Sequence, residues 1–395
     1  MYPNKEQKTS LEKHFGCVRF IYNYGLNYSN EQYKLNKKSF SWLEIANNIP
    51  KLKSNEKTKW LKEVNSQSLQ SSLRNLDSAY TRFFKRQGKF PQFKKKRNQQ
   101  SFQVPQNFKI NKHNSTLSIP KTKGEIKVVF HREIIGKINF CTISRNSANQ
   151  YFVSFTVEID KKIVKKEIKK ETAIGIDLGI KDFAVLSNKT KIPNPNISKN
   201  KEIRLGVLQS RVSRKVKGSK NRIKAILKLN KLHQKIKNKK NDFLHKLSSK
   251  IISENQTICL EDLNVSGMMK NRKLSKAIHY CSWNEFIRQL EYKGEWNGNN
   301  ILKINRFSPS SKMCCNCGCI NEELKLSDRT WKCKKCGIIH DRDFNASINI
   351  VDFAFHPKAF LLGAERSEEP TEKLASVNSF RKKRVSKLVH GSRKP

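Results

Sequence analysis

Three acids and two pairs of cysteines are the residues of this chain whose types and spacing could do chemistry. Asp177 closes the apolar run Ala173-Ile174-Gly175-Ile176, just ahead of Leu178 and Gly179. Glu261 closes a second run, Thr257-Ile258-Cys259-Leu260, and Asp343 lies in His340-Asp341-Arg342-Asp343-Phe344-Asn345-Ala346. A carboxylate at the end of a central strand is costly unless it is paired or bound to metal. Three of them from separate elements can converge on divalent cations. In the order Asp, Glu, Asp they suit two-metal phosphodiester hydrolysis, with two Mg²⁺ about 4 Å apart, one activating water and one stabilising the leaving oxygen. Each acid alone has a plainer reading. Asp177 could belong to the first phosphate loop of an actin-like ATPase or sugar kinase, Glu261 could simply end a strand, and Asp343 could cap a helix. Asp341 is the rival of Asp343. Asp343 is preferred because it opens an expected helix from Phe344 to Phe353, whereas Asp341 supports the turn before it.

The cysteines are the most specific local signal. Cys314-Cys315-Asn316-Cys317-Gly318 and Cys333-Lys334-Lys335-Cys336-Gly337 are both C-x-x-C-G, and fifteen residues separate Cys317 from Cys333. Two such knuckles, with glycines that let backbone N–H groups turn toward the thiolates, make a tetrahedral Cys₄ zinc ribbon. Cys315 and Cys319 offer other registers, but Cys314 with Cys317 reproduces the spacing of the second knuckle. A closed four-thiolate site is structural, so one structural Zn²⁺ is expected; a redox pair is the alternative. The other cysteines form no disulfide framework, which fits a reducing compartment.

These groups need elements to hold them. Residues 4 to 36 read as a helix, with Leu11, Phe15, Val18, Tyr22 and Leu26 at steps of three and four. A second helix is expected after an N-cap at Ser66, with Leu69, Leu73, Leu76, Tyr80 and Phe83 on one stripe. It breaks at Gly88 and Pro91, where Phe90 and Phe93 interleave with Lys94, Lys95, Lys96 and Arg97. Bases neutralise phosphates and rings can stack on nucleobases. From Ser101 to Asp160 the period becomes two, as in Tyr151-Phe152-Val153-Ser154-Phe155, with Ile126 to Phe130 and Ile138 to Ile143 alike. A small antiparallel β-barrel is expected there. Phe183 to Ser187 reads as the hairpin partner of the Asp177 strand. Lys201 to Lys250 reads as two helices split at Gly218-Ser219, with Leu208, Val212, Ile223, Ile226, Leu227, Leu232 and Ile236 as a broken apolar stripe. Above that stripe Arg211, Arg214, Lys215, Lys220 and Arg222 form a surface suited to tracking phosphates. A helix from Ser282 to Leu290 and a strand from Ile301 to Ile304 follow the Glu261 strand.

The formal net charge of +48 points to a polyanion partner, most simply nucleic acid. No long apolar span and no signal peptide are visible, so a cytoplasmic, nucleoid-associated protein with no membrane partner is expected.

In combination these motifs resemble the TnpB family of transposon-encoded RNA-guided endonucleases, OrfB-type proteins related to type V CRISPR effectors. The resemblance is carried by Gly175-Ile176-Asp177-Leu178-Gly179, Leu260-Glu261-Asp262-Leu263-Asn264, Ser310-Ser311-Lys312, Ser327-Asp328-Arg329-Thr330-Trp331 and Asp341-Arg342-Asp343-Phe344-Asn345-Ala346. Tyr2-Pro3-Asn4-Lys5-Glu6-Gln7, Phe15-Gly16-Cys17-Val18-Arg19-Phe20 and Phe90-Pro91-Gln92-Phe93-Lys94 carry it at the N-terminal end. It implies a RuvC-like ribonuclease H fold with Asp177, Glu261 and Asp343 as the catalytic, Mg²⁺-binding acids. It also implies a guide RNA derived from the transposon end and a double-stranded DNA target cut beside a short flanking motif. The family pattern has a strand before the Tyr-Pro pair. Here Met1 directly precedes it, so the resemblance implies a barrel short of an edge strand.

The expected architecture is therefore α+β and multidomain. It runs from a helical recognition region (1–100) and a wedge-like β-barrel (101–171) to the first part of the nuclease core (172–309). A zinc ribbon (310–340), the last nuclease helix (341–360) and a disordered basic tail (361–395) follow. A monomer is expected. The competing functions are a nuclease-inactive RNA- and DNA-binding regulator, an accessory protein of transposition labelled a transposase, a strand-joining transposase and an actin-like ATPase. The acid order is not Asp-Asp-Glu and no His-x-His pair occurs, which disfavours strand joining; the ribbon and the charge disfavour the ATPase.

Overall fold

Asn4 opens the first helix with a reciprocal cap: its side chain accepts from the Gln7 N–H, and the Gln7 side chain accepts from the Asn4 N–H. The helix that follows, α1 (Lys5–Asn36), belongs to a computed structural model that describes residues 1–37, 41–97, 99–160, 162–197, 199–325 and 327–356. The expected tail from 361 lies outside the described residues. The chain forms two compact units, one of Met1–Lys162 with Ile203–Lys235, the other of Ile163–Glu202 with the chain from Ile236 onward.

In the first unit α1 is followed by α2 (Trp42–Ala46), α3 (Ile49–Ser54) and α4 (Ser66–Phe84). Leu11, Phe15, Val18 and Ile21 of α1 share a core with Leu69 and Leu73 of α4, as their spacing requires. The cap of α4 is Asn65 rather than Ser66. Its Oδ1 accepts from the Gln67 N–H, so Ser66 already lies within the first turn. The strands are β1 (Gln100–Val104), β2 (Lys109–Asn111), β3 (Thr116–Ser118), β4 (Ile126–Lys127), β5 (Lys137–Arg145) and β6 (Tyr151–Glu158).

The expected barrel is not seen as a closed sheet. The strands form two antiparallel three-stranded sheets, β1-β5-β6 and β2-β3-β4. The strand expected over Ile126–Phe130 keeps ladder pairing only to Lys127, so β4 is too short to carry the sheet onward. Met1 and Tyr2 touch both sheets: the Met1 amino group donates to the Tyr151 carbonyl at 3.0 Å, and the Tyr2 N–H to the Lys127 carbonyl at 2.8 Å.

The second unit is built on β7 (Ala173–Leu178), β8 (Asp182–Leu186) and β9 (Lys191–Pro193). Between them and the next strand run α5 (Glu202–Ser213) and α6 (Lys220–Glu254), separated by Gly218 at positive φ. The stripe expected beneath the basic residues is largely uncovered. No residue of α5 is buried, and Ile223 is 61% exposed; burial begins with Leu232 and Ile236. Then come β10 (Thr257–Glu261), α7 (Val265–Met268), α8 (Ser275–Cys281), α9 (Trp283–Asn297), β11 (Asn300–Ile304), β12 (Thr330–Lys332), β13 (Ile339–Asp341) and α10 (Arg342–Phe355). α9 runs a further two turns past the expected end at Leu290. Among the described residues no helix is long and apolar enough to cross a membrane.

The five-stranded sheet has the order β11-β10-β7-β8-β9. β7, β8 and β9 are an antiparallel meander, and β10 and β11 run parallel to β7. Ile258 and Leu260 face a core that includes Ile174, Phe183, Ile251 and Phe286. Cys259 points to the other face, against Ile350 and Phe353 of α10. The alternation puts one helix layer on each face and leaves the strand ends for polar groups.

Candidate active site and metal centre

β7 and β10 are neighbouring parallel strands, in register from Thr257 opposite Ala173 to Leu260 opposite Ile176. Asp177 and Glu261 therefore emerge side by side at the same end of the sheet. The third acid arrives on α10. Its cap is Asp341, whose Oδ1 accepts from the Phe344 N–H at 3.0 Å and whose Oδ2 accepts from Lys191 Nζ at 2.6 Å. The helix thus starts at Arg342, two residues before the expected Phe344, and Asp343 lies in its first turn rather than at its cap.

α10 can reach this place because Gly175 has no side chain. A Cβ there would lie 2.0 Å from the Ser347 carbonyl oxygen and 2.9 Å from Val351 Cγ2. This is close backbone approach of the kind only glycine permits.

The acids act on one another. Desolvation, then the negative charges of Glu261 and Asp343, push the Asp177 carboxyl up to about 8; Arg342 and Arg329 pull the other way. Burial raises the Glu261 carboxyl too, opposed by Ser310, whose Oγ donates to Glu261 Oε1 at 2.5 Å. Asp343 accepts from Arg329 Nη1 at 3.1 Å and from Arg342 Nη2 at 3.2 Å. Asp341 differs: burial acts to raise it, but the Lys191 ammonium and the Phe344 N–H outweigh that and hold it below its usual range. Buried carboxyls such as Asp177 and Glu261, raised in pKa with the Asp343 charge nearby, are groups that a divalent cation would relieve, so the donor chemistry fits Mg²⁺.

The ribbon cysteines are closer together. The ligand atoms of Cys314, Cys317, Cys333 and Cys336 all lie within 4.8 Å of one another; among the described residues no other set of His, Cys, Asp or Glu gathers so tightly. Cys314 and Cys336 are 3.6 Å apart at sulfur, and Cys317 and Cys333 3.5 Å. Four thiolates at about 2.3 Å from Zn²⁺ in a tetrahedron stand about 3.8 Å from each other, so the set fits zinc. The two knuckles repeat one geometry. Gly318 and Gly337 have φ of 73° and 72°, and each donates its N–H at 2.9 Å, to the Cys314 and Cys333 carbonyls. Backbone N–H groups of Cys336 and Lys335 help to hold the Cys333 thiol down at about 6. Cys315 is not one of the four: its Sγ lies 3.9 Å from His340 Nδ1, and its N–H donates to Asn345 Oδ1 of α10.

Several partners escaped the sequence reading. Asn345 Nδ2 donates to the Met313 carbonyl, and Asn349 Nδ2 to the carbonyls of Ser310 and Met313, so α10 grips the entry to the ribbon. Two amides four apart, on one face of the helix, were the available signal. Arg329, the ribbon residue that pairs with Asp343, stands in the Ser327 to Trp331 motif, where its type alone gave it no role.

The basic candidates lie in the first unit. Lys95, Lys96 and Arg97 are exposed. Lys94 is exposed as well, but its ammonium sits 3.9 Å from the Tyr22 ring centroid, and desolvation lowers its pKa. Arg211, Arg214, Lys215 and Lys220 are exposed, while Arg222 is half-buried and donates to the Lys215 carbonyl across the break between α5 and α6.

Residues 154–272 match the OrfB IS605 family model, described as "Probable transposase". Residues 283–350 match the model "Cas12f1-like, TNB domain", and residues 1–38 the helix-turn-helix domain of OrfB IS605. A solved structure titled "Cryo-EM structure of the Cas12f1-sgRNA-target DNA complex" superposes with a TM-score of 0.52, covering 87% of this chain and 81% of that one; at 17% identity it speaks to the fold alone. An Escherichia coli K12 relative, "Putative RNA-guided DNA endonuclease InsQ", is 30% identical over 88% of this chain and 89% of its own. A Streptomyces pristinaespiralis relative, "Putative RNA-guided DNA endonuclease", is 36% identical over 89% of this chain and 87% of its own. With identity at that level along nearly the whole of both chains, this chain belongs to the TnpB family.

Proposed function

We propose that this chain is an RNA-guided DNA endonuclease whose catalytic groups are Asp177, Glu261 and Asp343. The observation that carries the reading is that Asp177, buried at the end of β7, lies within the charge fields of both Glu261 and Asp343, which together with desolvation raise its pKa to about 8. The sheet supports it as well. An antiparallel meander followed by two parallel strands, in spatial order 3-2-1-4-5 counted from β7, suits a ribonuclease H-like nuclease of the RuvC kind.

Asp177, Glu261 and Asp343 would hold two Mg²⁺, which when bound supply a nucleophilic water and stabilise the leaving oxygen. The chain's own residues fix the acids. Ser310 orients Glu261, and Arg329 and Arg342 orient Asp343 and offset its charge. Cys314, Cys317, Cys333 and Cys336 would hold one structural Zn²⁺, which would fix the ribbon segment that carries Arg329, just before β12, to Asp343. The net charge of +48 suits RNA and DNA as partners. Base pairing with a guide RNA from the transposon end would read the target, and the protein a short flanking motif. The domain limits of the sequence reading, cytoplasmic placement and a monomeric state belong to the same proposal.

The test is cleavage of a matched plasmid with Mg²⁺, beside a gel shift on the same target. Asp177→Ala, Glu261→Ala and Asp343→Ala should each abolish cleavage and leave guided binding intact, because the acids act as a unit. Asp341→Ala should cleave. Full cleavage by all three acid variants would end the nuclease reading; loss in Asp341→Ala with full activity in Asp343→Ala would reassign the third acid.

A further inference from the structure

Gly16 lies inside α1, and an added Cβ there would meet nothing within 4 Å. Glycine is a poor helix former, so a glycine in a long helix calls for a reason. Gly25 on the same helix has one: its Cβ would stand 2.6 Å from Leu73 Cδ2 and 3.1 Å from Leu76 Cδ2. Gly206 on the uncovered α5 is as open as Gly16, so openness alone carries nothing. Gly16 differs in what faces it.

It lines an open groove of about 540 Å³ with Lys13, Arg19, Phe20, Trp60 and Glu63. That volume is in the range of ligand sites, roughly 300–1,000 Å³. The Phe20 and Trp60 rings meet edge to face at 5.1 Å, and the indole Nε1 donates to the Lys57 carbonyl at 3.0 Å, which fixes one wall. Arg19 gives one donor to Gln100 Oε1 at 2.6 Å. Lys13 pairs with Glu63 across the groove mouth, both side chains being about half exposed. The groove thus combines fixed aromatic faces, the Arg19 guanidinium, the Lys13 ammonium paired with the Glu63 carboxylate, and a stretch of helix backbone without a side chain over it.

We propose that this groove seats an unpaired nucleotide of the guide RNA. Its base lies against the Phe20–Trp60 wall, and its sugar-phosphate backbone passes over Gly16 between Lys13 and Arg19. Aromatic faces accept any base, and cations beside them take the phosphates. Absence of a Cβ lets the strand approach the helix closely. RNA is the occupant rather than target DNA because RNA brings unpaired bases before any duplex is opened. The inference rests on the proposed function for the identity of its partner.

The experiment uses the full chain carrying Gly16→Ala or Gly16→Leu. It measures melting temperature and affinity for a short single-stranded RNA, with a DNA duplex of the same sequence as control. Better helix formers should raise the melting temperature by about 1–4 °C. The same substitutions should weaken RNA binding, by about tenfold for alanine and more for leucine, with duplex binding unchanged. Stability and binding would then move in opposite directions, which a purely structural glycine cannot do. Unchanged RNA affinity in Gly16→Leu would overturn the proposal, as would a fall in melting temperature or an equal loss for duplex DNA. Neither measurement depends on cleavage, so the outcome is the same for a chain without nuclease activity. A wild-type chain that binds no RNA would instead remove the guide reading itself, and this site with it.

Discussion

Gly175→Ala should separate the positioning of the third acid from its chemistry. The added Cβ would start 2.0 Å from the Ser347 carbonyl oxygen. Carbon–oxygen contacts settle near 3.3 Å, so strand and helix must part by about 1.3 Å. Neither obstructing atom is the loose end of a flexible chain: one is backbone of α10, the other Val351 Cγ2 at 2.9 Å. Overpacking of this kind costs about 1–3 kcal/mol, which for a unit of this size lowers the melting temperature by about 2–12 °C. Displacement of a catalytic group by about 1 Å can cost about a hundredfold in rate. Asp343 sits one turn before Ser347, so it moves with it. Single-turnover cleavage of a matched target at saturating Mg²⁺ should therefore fall about a hundredfold, while the gel shift of guided binding stays at the wild-type level. The variant leaves every carboxylate in place, so the loss would be one of geometry. Wild-type cleavage with an unchanged melting curve would refute the argument that α10 is docked through Gly175.

Two further outcomes follow from the site. Cys333→Ser should lower zinc content per chain and the melting temperature together, because structural zinc binding is folding free energy; metal analysis with a thermal melt checks it, and unchanged zinc would remove the ribbon assignment. In metal-free buffer, the Asp177 contribution to stability should be present below about pH 4 and lost as pH rises toward 8. The folded chain, with its carboxyl raised from 3.8 to about 8, keeps a proton that the unfolded chain releases. Asp177→Asn should flatten the fall in melting temperature between pH 5 and 8, and an unaltered slope would deny the shift.

Much of this site could be read from local pattern. The runs ending in Asp177 and Glu261 are apolar on both faces, which is how a strand buried under two layers looks, and the acids stand where the run stops. The twin knuckles are legible because zinc imposes its own spacing. What could not be read was set by distant partners. The cap of α10 is Asp341, whose other oxygen pairs with Lys191, 150 residues away. The strands form two separate three-stranded sheets rather than one closed barrel, with β4 only two residues long, and a run such as Val128-Val129-Phe130 does not reveal in sequence whether a neighbour is there to pair with it. The stripe on α5 had helical spacing and no element to cover it. Periodicity states which face is apolar and says nothing of what lies against it.

The chain order of the second unit also times its assembly on the ribosome. The five strands are complete at Ile304, yet the helix that covers Cys259 and delivers Asp343 comes after both knuckles. A nascent or prematurely terminated chain would already carry the basic helices and two of the acids, with one sheet face bare and the third acid missing. On the proposed assignment of Asp343 as a catalytic acid, cutting would be the last capability acquired in synthesis, and shortened products would hold nucleic acid without breaking it.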